Sequence, residues 1–119
     1  MTQTTPFSAT VWYRSDEVVL TLTGEIDTSS APRFGKAVGR LGGPDKALVF
    51  DLTGVTFLNS AGLSVIAGTL RRLERVGGRL IIRGASPRIH RVLEVSGFGD
   101  CELVEITGIK PYFQTIAAS

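Results

Sequence analysis

The chain has 119 residues, 43% hydrophobic and 20% charged, which suits a single compact domain with a sizeable core and excludes a disordered chain. A formal charge of +2, with arginines scattered between positions 14 and 91, forms no dense basic run and points away from direct nucleic-acid binding. Cys101 is the only cysteine, so an intrachain disulfide and a cysteine-based metal cluster are excluded; its expected place is a small buried position in a late strand.

Residues 1–7 read as a loose polar leader without the basic start and apolar centre of a signal peptide, and no later run is long enough to span a bilayer. A cytoplasmic protein with no membrane contact is expected. Residues 9–14 and 17–23 are two strand-like runs joined near Ser15 and Asp16, short enough for a hairpin. Within the second, Val18, Leu20 and Leu22 alternate with Val19, Thr21 and Thr23. Gly24, Glu25, Ile26 and Asp27 end that strand. Residues 28–32 then start a helix, with hydroxyl side chains able to cap and Pro32 in the first turn. Ala31, Phe34, Val38 and Leu41 form its inward stripe, and Gly42, Gly43 and Pro44 stop it.

Residues 47–52 are a nearly unbroken apolar run, as in a central strand covered on both faces. From Leu63 the spacing changes: Leu63, Ile66, Ala67, Leu70 and Leu73 recur at helical intervals. Arg71, Arg72, Glu74 and Arg75 fall largely on other faces and read as a solvated helix surface. Between strand and helix stand Asn59, Ser60, Ala61 and Gly62. A hydroxyl there lies near free N–H groups and the positive end of the helix dipole, which favour an anionic oxygen; a plain N-cap is the competing reading. Gly77 and Gly78 end this helix. Residues 79–83 hold a short buried strand, Ser86 and Pro87 open a third helix over Ile89, Val92 and Leu93, and residues 101–106 form a last strand. Ile109, Tyr112, Phe113 and Ile116 suggest a terminal helix. The order β-β-α-β-α-β-α-β-α implies one α/β domain around a mixed sheet, parallel in its centre, with a core over about 9–117.

Converging titratable groups are few. His90, the only histidine, sits between Arg88 and Arg91 and is expected to be solvated. No Gly-x-Ser-x-Gly elbow surrounds Ser60 and no phosphate-binding Gly-x-x-x-x-Gly-Lys loop occurs. Glu25, Asp27 and Asp51 lie near strand ends without the spacing of an acid/base pair. A binding module therefore outranks an enzyme, with no catalytic residue, cofactor or metal expected. A small α/β hydrolase using Ser60 as nucleophile is the alternative of another class.

Three segments together resemble the STAS family, the sulphate transporter and anti-sigma factor antagonist domains. They are Gly24, Glu25, Ile26 and Asp27 followed by Ala31 and Pro32; the run from Asp51 to Leu63; and Ser86, Pro87 with Val92 to Phe98. The resemblance is greatest to stand-alone bacterial anti-anti-sigma factors. It implies a STAS-like mixed α/β sheet and binding to an anti-sigma factor that is also a serine kinase, which frees a sigma factor. Carried over by position, Ser60 is the phosphoacceptor, and its phosphorylation ends the binding. Asn59, Ala61, Gly62 and Leu63 are its kinase-facing neighbours, while Asp27, Thr28 and Ser29 form an adjacent docking loop. Asp27 also reads as a strand-end carboxylate capping the first helix. Gly62 would allow close backbone approach by the partner, or serve as the small residue where helix meets sheet. The family usually has aspartate before the serine. Asn59 keeps its size and capping ability but removes a charge, which bears on the tuning of phosphorylation or the identity of the partner. ATP and magnesium belong to the kinase, and a serine phosphatase is implied if the cycle reverses. A STAS subunit of a transporter or stress-signalling complex, whose loop is never phosphorylated, is the alternative within the family.

Overall fold

The computed structural model describes residues 5–108. Its elements follow in the order β1 (Ser8–Tyr13), β2 (Glu17–Ile26), α1 (Ala31–Val38), β3 (Ala47–Leu58), α2 (Ser60–Val76), β4 (Leu80–Arg83), α3 (Pro87–Val95), a 3₁₀ turn (Phe98–Asp100) and β5 (Val104–Thr107). The terminal helix expected over 109–116, and residues 1–4 of the expected leader, lie outside the described residues.

The strands form one mixed sheet in the order β1-β2-β3-β4-β5; β1 runs antiparallel to β2 and the remaining neighbours are parallel. Order in space follows order along the chain. Each right-handed crossover therefore steps in the same direction, and α1, α2 and α3 are laid on one face. That face carries the main core. Val18, Leu20, Leu22 and Ile26 of β2, Leu48, Phe50 and Leu52 of β3, and Leu80 and Ile82 of β4 meet Phe34, Val38, Ile66, Leu70, Leu73, Ile89 and Leu93 from the helices. Phe34 meets Phe50 edge to face with ring centroids 5.4 Å apart, a favourable aromatic geometry. The alternate positions Val19, Val49 and Ile81 line up in register on the opposite face and, with Ala47, make a smaller buried cluster. The central strand is thus covered on both sides, as its apolar run suggests.

Four expected boundaries are corrected. Strand β2 runs through Gly24 to Ile26, and β3 runs past Leu52 to Leu58. With 12 residues against 10, β3 has two more than its neighbour. The register shifts between Thr21 and Thr23 and between Gly24 and Glu25 take them up as bulges, which let a pair continue where the alternation is broken. Helix α1 stops at Gly39, whose N–H bonds the Gly35 carbonyl, before Gly42, Gly43 and Pro44 are reached. The last strand begins at Val104, so Cys101 sits half-buried after the 3₁₀ turn and not within a strand.

The end of the expected leader is not loose. Phe7 packs against the core beneath the Arg33 guanidinium, 5.2 Å from the ring centroid. The backbone at Pro6 lies so close to Gly24 that a Cβ there would fall 2.5 Å from the Pro6 carbonyl oxygen; Gly24 also has φ +85°. Both facts call for glycine. Among the described residues no helix is long and apolar enough to cross a membrane.

Candidate functional site

The carboxyl ends of parallel strands, where chains turn into helices, are the usual site edge of an open α/β sheet. Here β2 and β3 end side by side. Ile26 pairs with Leu58, and the Asn59 N–H donates to the Ile26 carbonyl at 3.2 Å. This brings loop 27–30, leading into α1, next to Asn59 and Ser60, leading into α2.

Asn59 is the N-cap of α2. Its backbone is extended and its Oδ1 accepts from the Ala61 N–H at 3.0 Å, while its carbonyl accepts the first helical bond from Leu63. Ser60 is therefore the first helical residue and not the cap. It is exposed, its carbonyl accepts from the Ser64 hydroxyl at 3.0 Å, and its own hydroxyl has no hydrogen-bond partner among the described residues. The first turn of this 17-residue helix contains no acidic side chain, so the helix brings no carboxylate of its own to its positive end. A free hydroxyl in that position can take an anionic group without losing an existing bond.

Loop 27–30 is built around one carboxylate oxygen. Asp27 Oδ1 accepts from the Ser29 N–H at 2.9 Å, the Ser29 hydroxyl at 2.7 Å and the Ser30 N–H at 3.1 Å. The Ser29 hydroxyl and then the Ser30 N–H hold the Asp27 pKa below the ordinary carboxylate value of 3.8. Ser30, buried, accepts from the Asp27 N–H at 2.9 Å and donates to the Glu25 carbonyl at 2.8 Å, tying the loop to the strand it leaves. Asp27 therefore serves the turn into α1, while Thr28 and Ser29 are left exposed beside the α2 entrance.

Of the expected partner-facing residues, Asp27, Thr28, Ser29, Asn59, Ser60 and Ala61 come together at this edge. Gly62 does not reach the surface. It is buried, and a Cβ there would fall on Leu58 Cδ1 and 2.7 Å from Ile26 Cγ2. Its backbone is the contact between α2 and the two strand ends, which corrects the expectation that it opens toward a partner. Leu63 is half-buried and packs against the main core. Two residues escaped the sequence reading. Ser30 could not be told from its hydroxyl neighbours. Phe57, 45% exposed at the bulged end of β3, stands next to the same loop edge, and an aromatic in a stretch of broken alternation is the signal that would have found it.

His90 is half-buried, contrary to the expectation of a solvated side chain; its Nδ1 is 3.7 Å from Glu94 Oε1 one turn along α3, and no hydrogen bond joins it to Ser60. Within the described residues no group of His, Cys, Asp and Glu side chains is placed to hold a metal ion.

Residues 10–118 match the STAS domain family. The anti-sigma F factor antagonist of Lysinibacillus sphaericus is 30% identical over 86 residues, covering 71% of this chain and 74% of that protein. The crystal structure of an anti-sigma factor antagonist from Mycobacterium paratuberculosis is similar with a TM-score of 0.68 at 27% identity, covering 95% of this chain and 93% of that one. The phosphorylated form of the Bacillus cell fate determinant SpoIIAA is similar in fold, with a TM-score of 0.62 at 22% identity, over 95% of this chain and 98% of that one.

Proposed function

Because this chain belongs to the STAS domain family, we propose that it is an anti-sigma factor antagonist controlled by phosphate on Ser60. In the unmodified state the edge formed by Thr28, Ser29, Asn59, Ser60 and Ala61, flanked by Phe57, docks on an anti-sigma factor and frees the sigma factor. The anti-sigma factor is also the serine kinase. It transfers the γ-phosphoryl group of its own ATP to the Ser60 hydroxyl: the new O–P bond forms as the bond from the γ-phosphorus to the bridging oxygen breaks, ADP leaves, and the hydroxyl gives up its proton. The chain contributes an acceptor and a docking surface but no reaction of its own. A serine phosphatase resets it.

The observation that carries this reading is the exposed hydroxyl of Ser60, without a hydrogen-bond partner among the described residues, at the start of a helix whose first turn holds no acidic side chain. Phosphate adds a charge of about −1.5 to −2, which the helix end accommodates while the surface facing the partner changes from a small neutral group to a bulky dianion. A thousandfold loss of affinity needs only about 4 kcal/mol, within reach of one dianion buried without a matching charge. Asn59 fits the same scheme. It caps through Oδ1 as aspartate would, but places no negative charge beside the incoming phosphate.

Calorimetric titration against the anti-sigma factor/serine kinase encoded by the same organism tests this. Ser60→Ala should bind like the parent and remain unphosphorylated, and Ser60→Asp should bind at least about tenfold more weakly. Equal affinities of the two variants would contradict the switch.

A further inference from the structure

Helices α1 and α2 run side by side with an open cleft between them, away from Ser60. One part, of about 440 Å³, lies among Arg40, Gly42, Arg72, Arg75 and Val76. Through Arg72 and Arg75 it continues into a second part of about 380 Å³, floored by Gly35, Gly39 and Gly68 between Val38 and Val65. The floor exists because the helices carry glycines where they face each other. A Cβ on Gly35 would be 4.0 Å from the Val65 methyls, and one on Gly68 would be 3.7 Å from Arg71 Nη2; these are ordinary contact distances, so neither glycine is imposed by a clash and their missing side chains keep the floor low.

The charge in this cleft is unbalanced. Arg72 is not on a solvated face as its sequence neighbours suggested; it is half-buried and pinned by a hydrogen bond from Nη2 to the Leu41 carbonyl. Burial first, then the Arg40 and Arg75 guanidinium groups, hold its pKa below the ordinary arginine value. Among the described residues the ion pairs are Arg79 with Glu105, Arg83 with Glu17 and His90 with Glu94, and none involves these three arginines. Glu74 of α2 is exposed, and Asp45 lines a neighbouring hollow together with Lys46. Three crowded cations without a carboxylate are relieved by an incoming anion.

We propose that this cleft is a docking groove for an acidic, partly apolar segment of a partner protein. The elongated shape suits a length of chain. Val65 and the glycine Cα atoms of the second part offer apolar surface of no use to a phosphate, while Arg72 and Arg75 at the junction of the two parts, with Arg40 beyond them, select carboxylates. The groove starts near Val65, roughly 8 Å along α2 from Ser60 at about 1.5 Å per residue, so it stands apart from the phosphoacceptor and does not depend on it.

Two-dimensional amide NMR of the full chain, titrated with a decapeptide alternating glutamate and leucine, tests the groove. Lysine–leucine peptide and tripolyphosphate are the comparison ligands. Shifts should concentrate on the Gly35, Gly39 and Gly68 amides, and affinity should fall at least about tenfold between about 50 and 300 mM salt. Arg40→Glu with Arg75→Glu should weaken binding at least about tenfold, while Arg88→Glu with Arg91→Glu, the same charge change on α3, should leave it unchanged. The lysine peptide should not bind. No binding, shifts scattered over the surface, equal loss in both double variants, or displacement of the peptide by tripolyphosphate at the same amides would each overturn the proposal.

Discussion

Asp27 and Ser60 stand at one edge of the sheet, and their hydrogen bonds set them apart. Asp27 Oδ1 is occupied by donors from its own turn, whereas the Ser60 hydroxyl has no partner among the described residues. The first pattern belongs to a side chain that shapes a loop, the second to one available for chemistry. A pH dependence follows for Asp27. Its folded pKa is depressed, so its contribution is present above the unfolded value near 3.8 and is lost as pH falls through the lower folded value. Asp27→Asn should therefore flatten the acid limb of the melting temperature below pH about 4 and leave the neutral limb sloped as in the parent. Thermal melts from pH 2 to 7 read this directly, and an unchanged acid limb would mean that Asp27 is not the group concerned. The twofold reading of Asp27 in the sequence, cap or docking residue, could not be decided without these partners. Spacing places a carboxylate at a strand end, but only the turn geometry decides which donors reach it.

Within α2 two glycines have opposite roles. Gly62 is buried where the helix meets Leu58 and Ile26, and a Cβ on Gly68 would meet only the end of the Arg71 side chain, at an ordinary contact distance of 3.7 Å. Alanine at a helix interior is favoured over glycine by about 1 kcal/mol, whereas forcing a methyl into a packed contact costs about 1–3 kcal/mol. Gly62→Ala should thus destabilise and Gly68→Ala should stabilise by about 0.5–1 kcal/mol in urea unfolding. The same sign for both would contradict the packing described. Element by element, strands and helices with unbroken periodicity were legible: the apolar run 47–52, the stripe Ile66, Leu70 and Leu73, and the Ser86–Pro87 start of α3, where the Ser86 hydroxyl accepts from the Ile89 N–H. The extensions of β2 and β3 were not, because Gly24 and Gly54 carry turn chemistry and the bulges that carry the strands through them are a property of the pair. The same cause hid the exposure of Phe57.

Across the whole molecule, the in-order sheet puts all three helices on one face and their N-termini at one edge, so the proposed phosphoacceptor stands on a scaffold that need not move. An anion at the start of α2 is worth about 0.3–1 kcal/mol through the helix end. The phosphorylated protein should then melt at, or up to about 4 °C above, the temperature of the unmodified form, with near-ultraviolet circular dichroism unchanged. A large fall in melting temperature would mean that phosphate acts by unfolding the chain and not by altering its surface. The family and the order of elements were readable from motifs spread along the chain. Which arginines remain uncompensated was not, since that depends on α1 and α2 meeting through glycines. The central claim is tested most directly by peptide-level mass spectrometry after incubation with the anti-sigma factor/serine kinase of the same organism and ATP. A single phosphate on Ser60, absent in Ser60→Ala, is the result expected; phosphate on another residue of the parent protein would contradict it.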